Sequence, residues 1–419
     1  MRVELAYGRN GLFVDLPDGT EVILPKDPPP LPDQPAAVTA AVGGPLASLV
    51  DAVGRRPRRV VVVFPDLTRP MPNRTVLPPL LAVLESAGIG PDEILLLCAT
   101  GTHRQASAEE MAELIGPELV ARYRVKDHDA VAGEHVEVGA VDGAPIFLDR
   151  DYVEADIRIL TGFVEPHFFA GYSGGPKGAC PGVAALSTVL EAHSPARIAD
   201  PRATWTTLDG NPVHDFLRAA VALCPPALSV DVAITRDRQL AAVYAGPLAE
   251  RGDCAHRQAT AFVAQHVVRS VDAPFDVVVT TNSGYPLDRN LYQAVKGLTA
   301  AARVVRPGGT IVMASACADG VPAGSRFAAL LAESRSAQDL VDPTQPSELD
   351  RWQVQVLGRI LQHATIALHT EGIADDDVRA AHLSPVEDVG QAVAEAVGGR
   401  QARVCALPDG PLTVPTLMH

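Results

Sequence analysis

The chain has 419 residues and 44.0 kDa, with 47% hydrophobic and only 20% charged side chains, which excludes disorder over most of its length. The formal charge of −15, with no block of like charges, argues against non-specific nucleic-acid binding and against docking on anionic membrane. Cys98, Cys180, Cys224, Cys254, Cys317 and Cys405 lie far apart with no CxxC pair, so neither a disulfide framework nor a structural zinc site is expected.

The start, Met1-Arg2-Val3-Glu4, has no signal-peptide pattern, and the longest uncharged runs, such as 34–50, are interrupted by Pro, Gly and Thr. A soluble cytoplasmic protein with no membrane span is the expectation. Val3–Tyr7, Leu12–Leu16 and Glu21–Leu24 read as short strands around Gly/Asn and Pro-Asp-Gly turns, and Pro25–Pro35 is too proline-rich for regular structure. From residue 59 the pattern changes. Val60–Phe64 and Ile94–Cys98 are strands buried on both faces. Between them Leu77, Leu80, Leu81 and Leu84 mark one helix face ending at Gly88 and Gly90. Ser107-x-x-Glu110 is a capping box opening the next helix, and Ile146–Leu148 and Ile157–Leu160 are further strands. The alternation predicts a parallel α/β layer.

A second such unit starts near residue 273: strand Phe275–Thr281, helix Leu291–Val305, a turn at Pro307-Gly308-Gly309 and strand Thr310–Ser315. Helix Trp352–Thr365, strand Ile366–Leu368, a helix around Val386–Val397 and strand Val404–Leu407 complete it. The predicted fold is two Rossmann-like α/β domains with mostly parallel sheets, 1–270 and 271–419, the active site lying in the cleft between them.

Ligands of open α/β sheets collect at the carboxyl ends of strands. Those positions hold Asp66-Leu67-Thr68-Arg69, Thr100-Gly101-Thr102-His103, Glu165-Pro166-His167 with the glycine-rich run Gly171–Gly178, and Asn282 onward to Lys296. The hydroxyls of Tyr172 and Ser173 and the N–H groups of the glycine run could hold a phosphate; an ordinary tight loop is the competing reading. Of 35 basic residues only four are lysines, Lys26, Lys126, Lys177 and Lys296, and an arginine cannot replace a lysine as a neutral amine nucleophile. His103 and His167 follow separate strands of one layer, where two imidazoles can serve as acid and base; His193 lies in Glu191-Ala192-His193-Ser194-Pro195. His128, His135, His256, His266, His363, His369, His382 and His419 sit in ordinary polar or helical settings and receive no role.

DLTRP at 66–70, ATGTHR at 99–104, EPHFFAGYSGGPKGACPG at 165–182, HSP at 193–195, LDGNPVHDF at 208–216 and YPLDRNLYQAVKG at 285–297 resemble, in matching order, the lactate racemase family. These are nickel-pincer nucleotide-dependent 2-hydroxyacid racemases and epimerases. The resemblance implies a pyridinium mononucleotide joined covalently to Lys177, with its nickel completed by His193. It also implies an acid/base pair, His103 and His167. Arg69, Gln293 and Lys296, with Tyr292 beside them, are implied for substrate and its carboxylate. Asp66, Thr68, Tyr172, Ser173, Gly174 and Gly175 fall where the family holds the nucleotide. Gly178-Ala179-Cys180 departs from the bulkier apolar residues expected after that lysine.

The implied chemistry has a reason. Removing a proton beside a carboxylate builds a second negative charge, whereas removing a hydride leaves a neutral ketone if an electrophilic acceptor lies alongside. Small-molecule 2-hydroxy acids and the proteins that mature the cofactor are the expected partners. The alternative is a nucleotide- or cofactor-binding protein without racemase activity. A nicotinamide-dependent dehydrogenase lacks its GxGxxG fingerprint here.

Overall fold

The computed structural model describes residues 1–225, 227–248 and 254–418; His419 and the Cys254 side chain lie outside the described residues. The chain divides into two compact units. One comprises Asp27–His193 and Arg202–Gln265; the other comprises Met1–Lys26, Ser194–Pro201 and His266–His419.

The Asp27–Gln265 unit is built on a six-stranded sheet in the order Leu240–Leu248, Ala227–Ile234, Ile157–Phe163, Val60–Pro65, Ile94–Ala99, Arg124–Asp127. Five of these strands are parallel and Leu240–Leu248 adds antiparallel at one edge. The two strands with unbroken apolar runs, Val60–Pro65 and Ile94–Ala99, are buried on both faces, as helices on either side require. Their neighbour Ile157–Phe163 lies on the far side of Val60–Pro65, so the winding direction reverses between those two strands. The crevice outside their carboxyl ends is therefore the topological switch point. Asp66–Arg69 leaves one of them and Val164–His167 the other.

Ile146–Leu148 does not belong to this sheet. It lies in Ala144–Asp149, which forms a separate antiparallel hairpin with His135–Val141. Asp142 and Gly143 join the two strands with φ of 52° and 82°, the two-residue turn that Asp-Gly favours. Pro, Gly and Thr do not break residues 34–50 into irregular structure: Gln34–Val53 is one helix with Pro45 inside it. Asp33 caps it by accepting from the Ala36 N–H, and Gly54 ends it in the left-handed region at φ 69°. By length and composition this helix could cross a membrane. Its Val38, Val42, Leu46 and Leu49 stripe instead packs into the unit's core beside Leu77, Leu80, Leu81 and Leu84 of the Asn73–Ser86 helix.

The second unit holds six parallel strands in the order Ser384–Pro385, Thr365–His369, Val305–Ala314, Phe275–Thr281, Val404–Leu407, Glu21–Val22. Both sheets are thus mostly parallel α/β layers, and Arg2–Leu5 pairs with Leu12–Asp15 in an antiparallel hairpin. Pro307-Gly308-Gly309 is not a separate turn: the Val305–Ala314 strand runs through it with a register shift against Phe275–Val277. Here the winding reverses between Phe275–Thr281 and Val404–Leu407. Side chains link the segments that follow these two strands, with Thr281 Oγ1 donating to the Pro408 carbonyl at 2.9 Å and Ser283 Oγ to that of Asp409 at 2.6 Å. The Leu291–Ala302 helix follows, capped by Asn290, which accepts from the Gln293 N–H.

Candidate active site

At the switch point of the first unit, Asp66 is buried and accepts three hydrogen bonds. His103 Nδ1 lies 2.8 Å from Oδ2, Thr68 Oγ1 donates to Oδ1 at 2.7 Å and the Thr68 N–H to Oδ1 at 3.3 Å. Burial works against ionisation of Asp66, yet the hydrogen bonds and charge of His103, the Thr68 hydroxyl and the Arg69 guanidinium hold its carboxyl below the ordinary range. Since an ionised carboxylate only accepts, the Nδ1–H of His103 donates to it. In the neutral ring Nε2 then carries the lone pair, the arrangement a general base needs.

His167 is held the other way. Its Nδ1 accepts from the N–H groups of Ala170 at 3.3 Å and Phe169 at 3.5 Å, which leaves the proton of the neutral ring on Nε2. Its ring stacks on Phe168 at 4.8 Å and meets Phe169 edge-on at 4.4 Å. Phe169 is the hub of this half of the site. Lys177 Nζ lies over its ring at 5.6 Å, and the His193 ring stands edge-on to it at 5.3 Å. His167, Lys177 and His193 are thus gathered around one phenyl group.

His193 caps the C-terminus of the Leu186–Ala192 helix, and its Nδ1 donates to the Val189 carbonyl at 2.8 Å. Nε2 is then the ring's electron-pair donor. Burial, with the nearby Lys177 charge, lowers its pKa to about 4, so the ring is neutral at pH 7. The sign of the linked stability follows. Between about pH 6.5 and pH 4 the unfolded chain takes up a proton at this ring that the folded chain does not, so acidification through that window destabilises the fold. The urea midpoint of the metal-free protein falls across that window, and it falls less steeply in His193→Gln. Equal slopes in the two proteins would contradict this reading.

Steric necessity explains the glycine run. Gly174 and Gly175 have φ of 77° and 51°. A Cβ at Gly174 would sit 2.5 Å from Asp231 Oδ1, and one at Gly175 would sit 2.7 Å from the His256 ring. Asp231 also accepts from the Gly175 N–H at 2.7 Å and from the Ser229 hydroxyl. Asp231 escaped the sequence reading, though Ser229-x-Asp231 inside an apolar strand is a legible signal of a buried carboxylate with a local purpose. The Ser173 hydroxyl works within the loop, donating to the Phe163 carbonyl at 2.8 Å and accepting from the Glu165 N–H at 2.9 Å. Tyr172 is buried, which pushes its hydroxyl up to about 12. Cys180 is buried as well, and burial pushes its thiol up to about 12, so it is a neutral thiol at pH 7.

The other unit places Tyr292, Gln293 and Lys296 in the first turns of the Leu291–Ala302 helix. The Tyr292 hydroxyl accepts from the Trp352 indole N–H at 3.2 Å, and its ring meets Phe327 edge-on at 5.3 Å.

Residues 7–206 match the lactate racemase N-terminal domain and residues 270–414 the lactate racemase C-terminal domain. The chain belongs to the lactate racemase family. A lactate racemase of Thermoanaerobacterium thermosaccharolyticum is 32% identical over 426 residues, covering 97% of each chain, and one of Lactiplantibacillus plantarum is 32% identical over 372 residues, covering 86% of each. The structure of the lactate racemase apoprotein from T. thermosaccharolyticum superposes with a TM-score of 0.90 at 30% identity, covering 99% of this chain and 100% of that one. A Thermotoga maritima protein at 19% identity and TM-score 0.67, covering 94% of this chain and 100% of its own, shares the fold. Family membership makes the chain an isomerase of the racemase type.

Proposed function

We propose that the chain inverts the hydroxyl-bearing carbon of a 2-hydroxy acid of the lactate type, using a nickel-pincer nucleotide attached at Lys177. What carries the reading is the gathering of Lys177, His193 and His167 around Phe169, in the unit that also holds the Asp66–His103 pair. The donor set suits a metal whose other ligands arrive with a bound group. Among the described residues no three His, Cys, Asp or Glu side chains converge as a metal site, while His193 offers one neutral nitrogen. When bound, the group supplies an electrophilic carbon that accepts the substrate's α-hydrogen with its electron pair.

The chain supplies the rest. Lys177 provides the amine for a covalent tether, and the loop from Ser173 to Gly175, with Tyr172, Thr68 and Asp66, lies where the nucleotide would be held. His103 Nε2 accepts the hydroxyl proton of one enantiomer, and His167, with its proton on Nε2, is proposed to donate to the oxygen of the other. Arg69 binds the carboxylate in bidentate fashion, and Lys296, Gln293 and Tyr292 are proposed to hold the same substrate. The Asp66–His103 pair favours catalysis over mere cofactor storage, because a binder needs no oriented base. The cytoplasm is the proposed compartment, where the proteins that mature the cofactor would act on the chain.

The test uses protein co-expressed with those maturation proteins and a panel of single-enantiomer 2-hydroxy acids, with products resolved by chiral chromatography. Interconversion of lactate enantiomers supports the reading; a loaded protein that converts none of the panel overturns it. Nickel retention checks the ligand separately. After dialysis, His193→Ala keeps markedly less nickel than wild type and Cys180→Ser keeps as much; the reverse order would show that the ligand is misassigned.

A further inference from the structure

The same unit holds an ionic cluster, buried at His128 and Asp149, that the proposed chemistry does not use. His128 is fully buried, with Nδ1 3.2 Å from Asp149 Oδ2 and Nε2 3.0 Å from the Ala184 carbonyl oxygen. Lys126 Nζ reaches both Asp149 oxygens, at 3.2 and 3.1 Å, and Asp151 Oδ2 at 2.7 Å. Burial opposes ionisation of Asp149, but hydrogen bonds from His128 and Lys126 hold its carboxyl below the ordinary range. A carboxylate and a backbone carbonyl can only accept. Both ring nitrogens of His128 therefore face an acceptor, an arrangement that only a ring with a proton on each satisfies in full. Lys126 and His128 thus face two carboxylates, Asp149 and Asp151; His128 and Asp149 are buried, while Lys126 and Asp151 are partly exposed.

The contacts of this imidazole lead to three candidate catalytic positions. Ala184 ends the segment that begins at Lys177, where the Gly182 N–H donates to the Lys177 carbonyl at 3.1 Å. Immediately beyond, the Ala185 N–H donates to the Phe147 carbonyl at 3.0 Å and the Leu186 N–H to that of Ala130 at 2.8 Å, seating the helix that ends at His193. On its backbone side, the His128 carbonyl accepts from Thr100 Oγ1 at 2.6 Å, and the Thr100 carbonyl accepts from the His103 N–H at 2.9 Å.

We propose that His128 is a positioning residue: a buried imidazolium that fixes the Lys177-to-His193 segment through Ala184 and the His103 loop through Thr100. The proposal rests on the reading of Lys177, His193 and His103 given above. The titratable groups facing the ring are Lys126, Asp149, Asp151, Asp129 and His135. The His135 ring stands edge-on to it at 5.4 Å, and its pKa is lowered by burial and by the charge on His128.

The experiment uses full-length protein. Histidine-selective 15N NMR of the metal-free wild type, with the His128 signals assigned by their loss in His128→Gln, shows both ring nitrogens protonated at pH 7; a neutral single-tautomer signal would overturn the proposal. In His128→Gln the rate of adduct formation at Lys177, read by intact mass, falls roughly ten- to hundred-fold per folded molecule. In Thr100→Val, which touches only the His103 branch, loading is unchanged and kcat of the loaded enzyme falls. If melting temperature drops in both variants while loading and kcat per folded molecule stay at wild type, His128 is merely structural and the proposal fails. Should His128→Gln not fold, Thr100→Val still decides: an unchanged kcat of the loaded enzyme overturns the proposal. A wild type that loads at another residue would overturn the Lys177 reading and leave the protonation result standing.

Discussion

Lys177→Arg protein, matured beside wild type, carries no covalent adduct and shows no racemase activity, while its melting temperature stays within a few degrees. The expectation follows from chemistry and placement together. A guanidinium is protonated at every accessible pH and offers no amine lone pair, whereas a lysine can give one up. The substitution keeps the positive charge over Phe169 and beside His193, so the local electrostatics survive and only nucleophilicity is removed. Intact-mass analysis with peptide mapping reads the outcome directly. An adduct found on Lys126 or Lys296 in wild type, or equal loading of the Arg variant, would refute the assignment. Lys126 is a poor competitor, since Asp149 and Asp151 already hold its ammonium.

Much of this site is legible in the sequence because parallel α/β folds put chemistry at strand ends. Val60–Phe64 and Ile94–Cys98 announce themselves as strands by unbroken apolar runs, so the residues after them are candidates before any partner is known. What the pattern cannot convey is which strand lies beside which. The switch point between Val60–Pro65 and Ile157–Phe163 is a property of the winding, and neither strand encodes its neighbour. Edge elements were lost for a different reason: Arg124–Asp127 is short and polar, so it shows no buried run. The Gln34–Val53 helix was hidden by its own Pro45 and paired glycines, whose local cost is outweighed by burying Val38, Val42, Leu46 and Leu49. Phe169 could not be singled out among apolar residues, because its role is to gather Lys177, His167 and His193, which only the tertiary fold reveals. His128 looked ordinary among polar neighbours, and its importance lies in two acceptors, Asp149 and Ala184, that are distant in the chain.

Single substitutions of either histidine, His103→Ala or His167→Ala, stop racemisation in both directions, each lowering the rate about a hundred- to ten-thousand-fold. Racemisation must serve both faces of one carbon, so loss of a group needed by either enantiomer blocks the whole conversion. The two rings are held for opposite duties at Nε2: Asp66 keeps the His103 proton on Nδ1, and the Phe169 and Ala170 N–H groups keep the His167 lone pair on Nδ1. Neither neutral ring can stand in for the other without turning over against its own anchor. Asp66→Asn should therefore fall between wild type and His103→Ala, since an amide can still meet Nδ1 but no longer dictates which nitrogen carries the proton. The isotope pattern separates this chemistry from direct proton abstraction. Conducted in deuterated water, the reaction retains the substrate's α-hydrogen in the inverted product, because only the hydroxyl proton passes through the histidines. Full incorporation of solvent deuterium at that carbon would mean that a histidine removes the α-proton itself. In that case Arg69 and its partners would have to stabilise a second negative charge beside the carboxylate, and the reading of His103 as a hydroxyl base would be wrong.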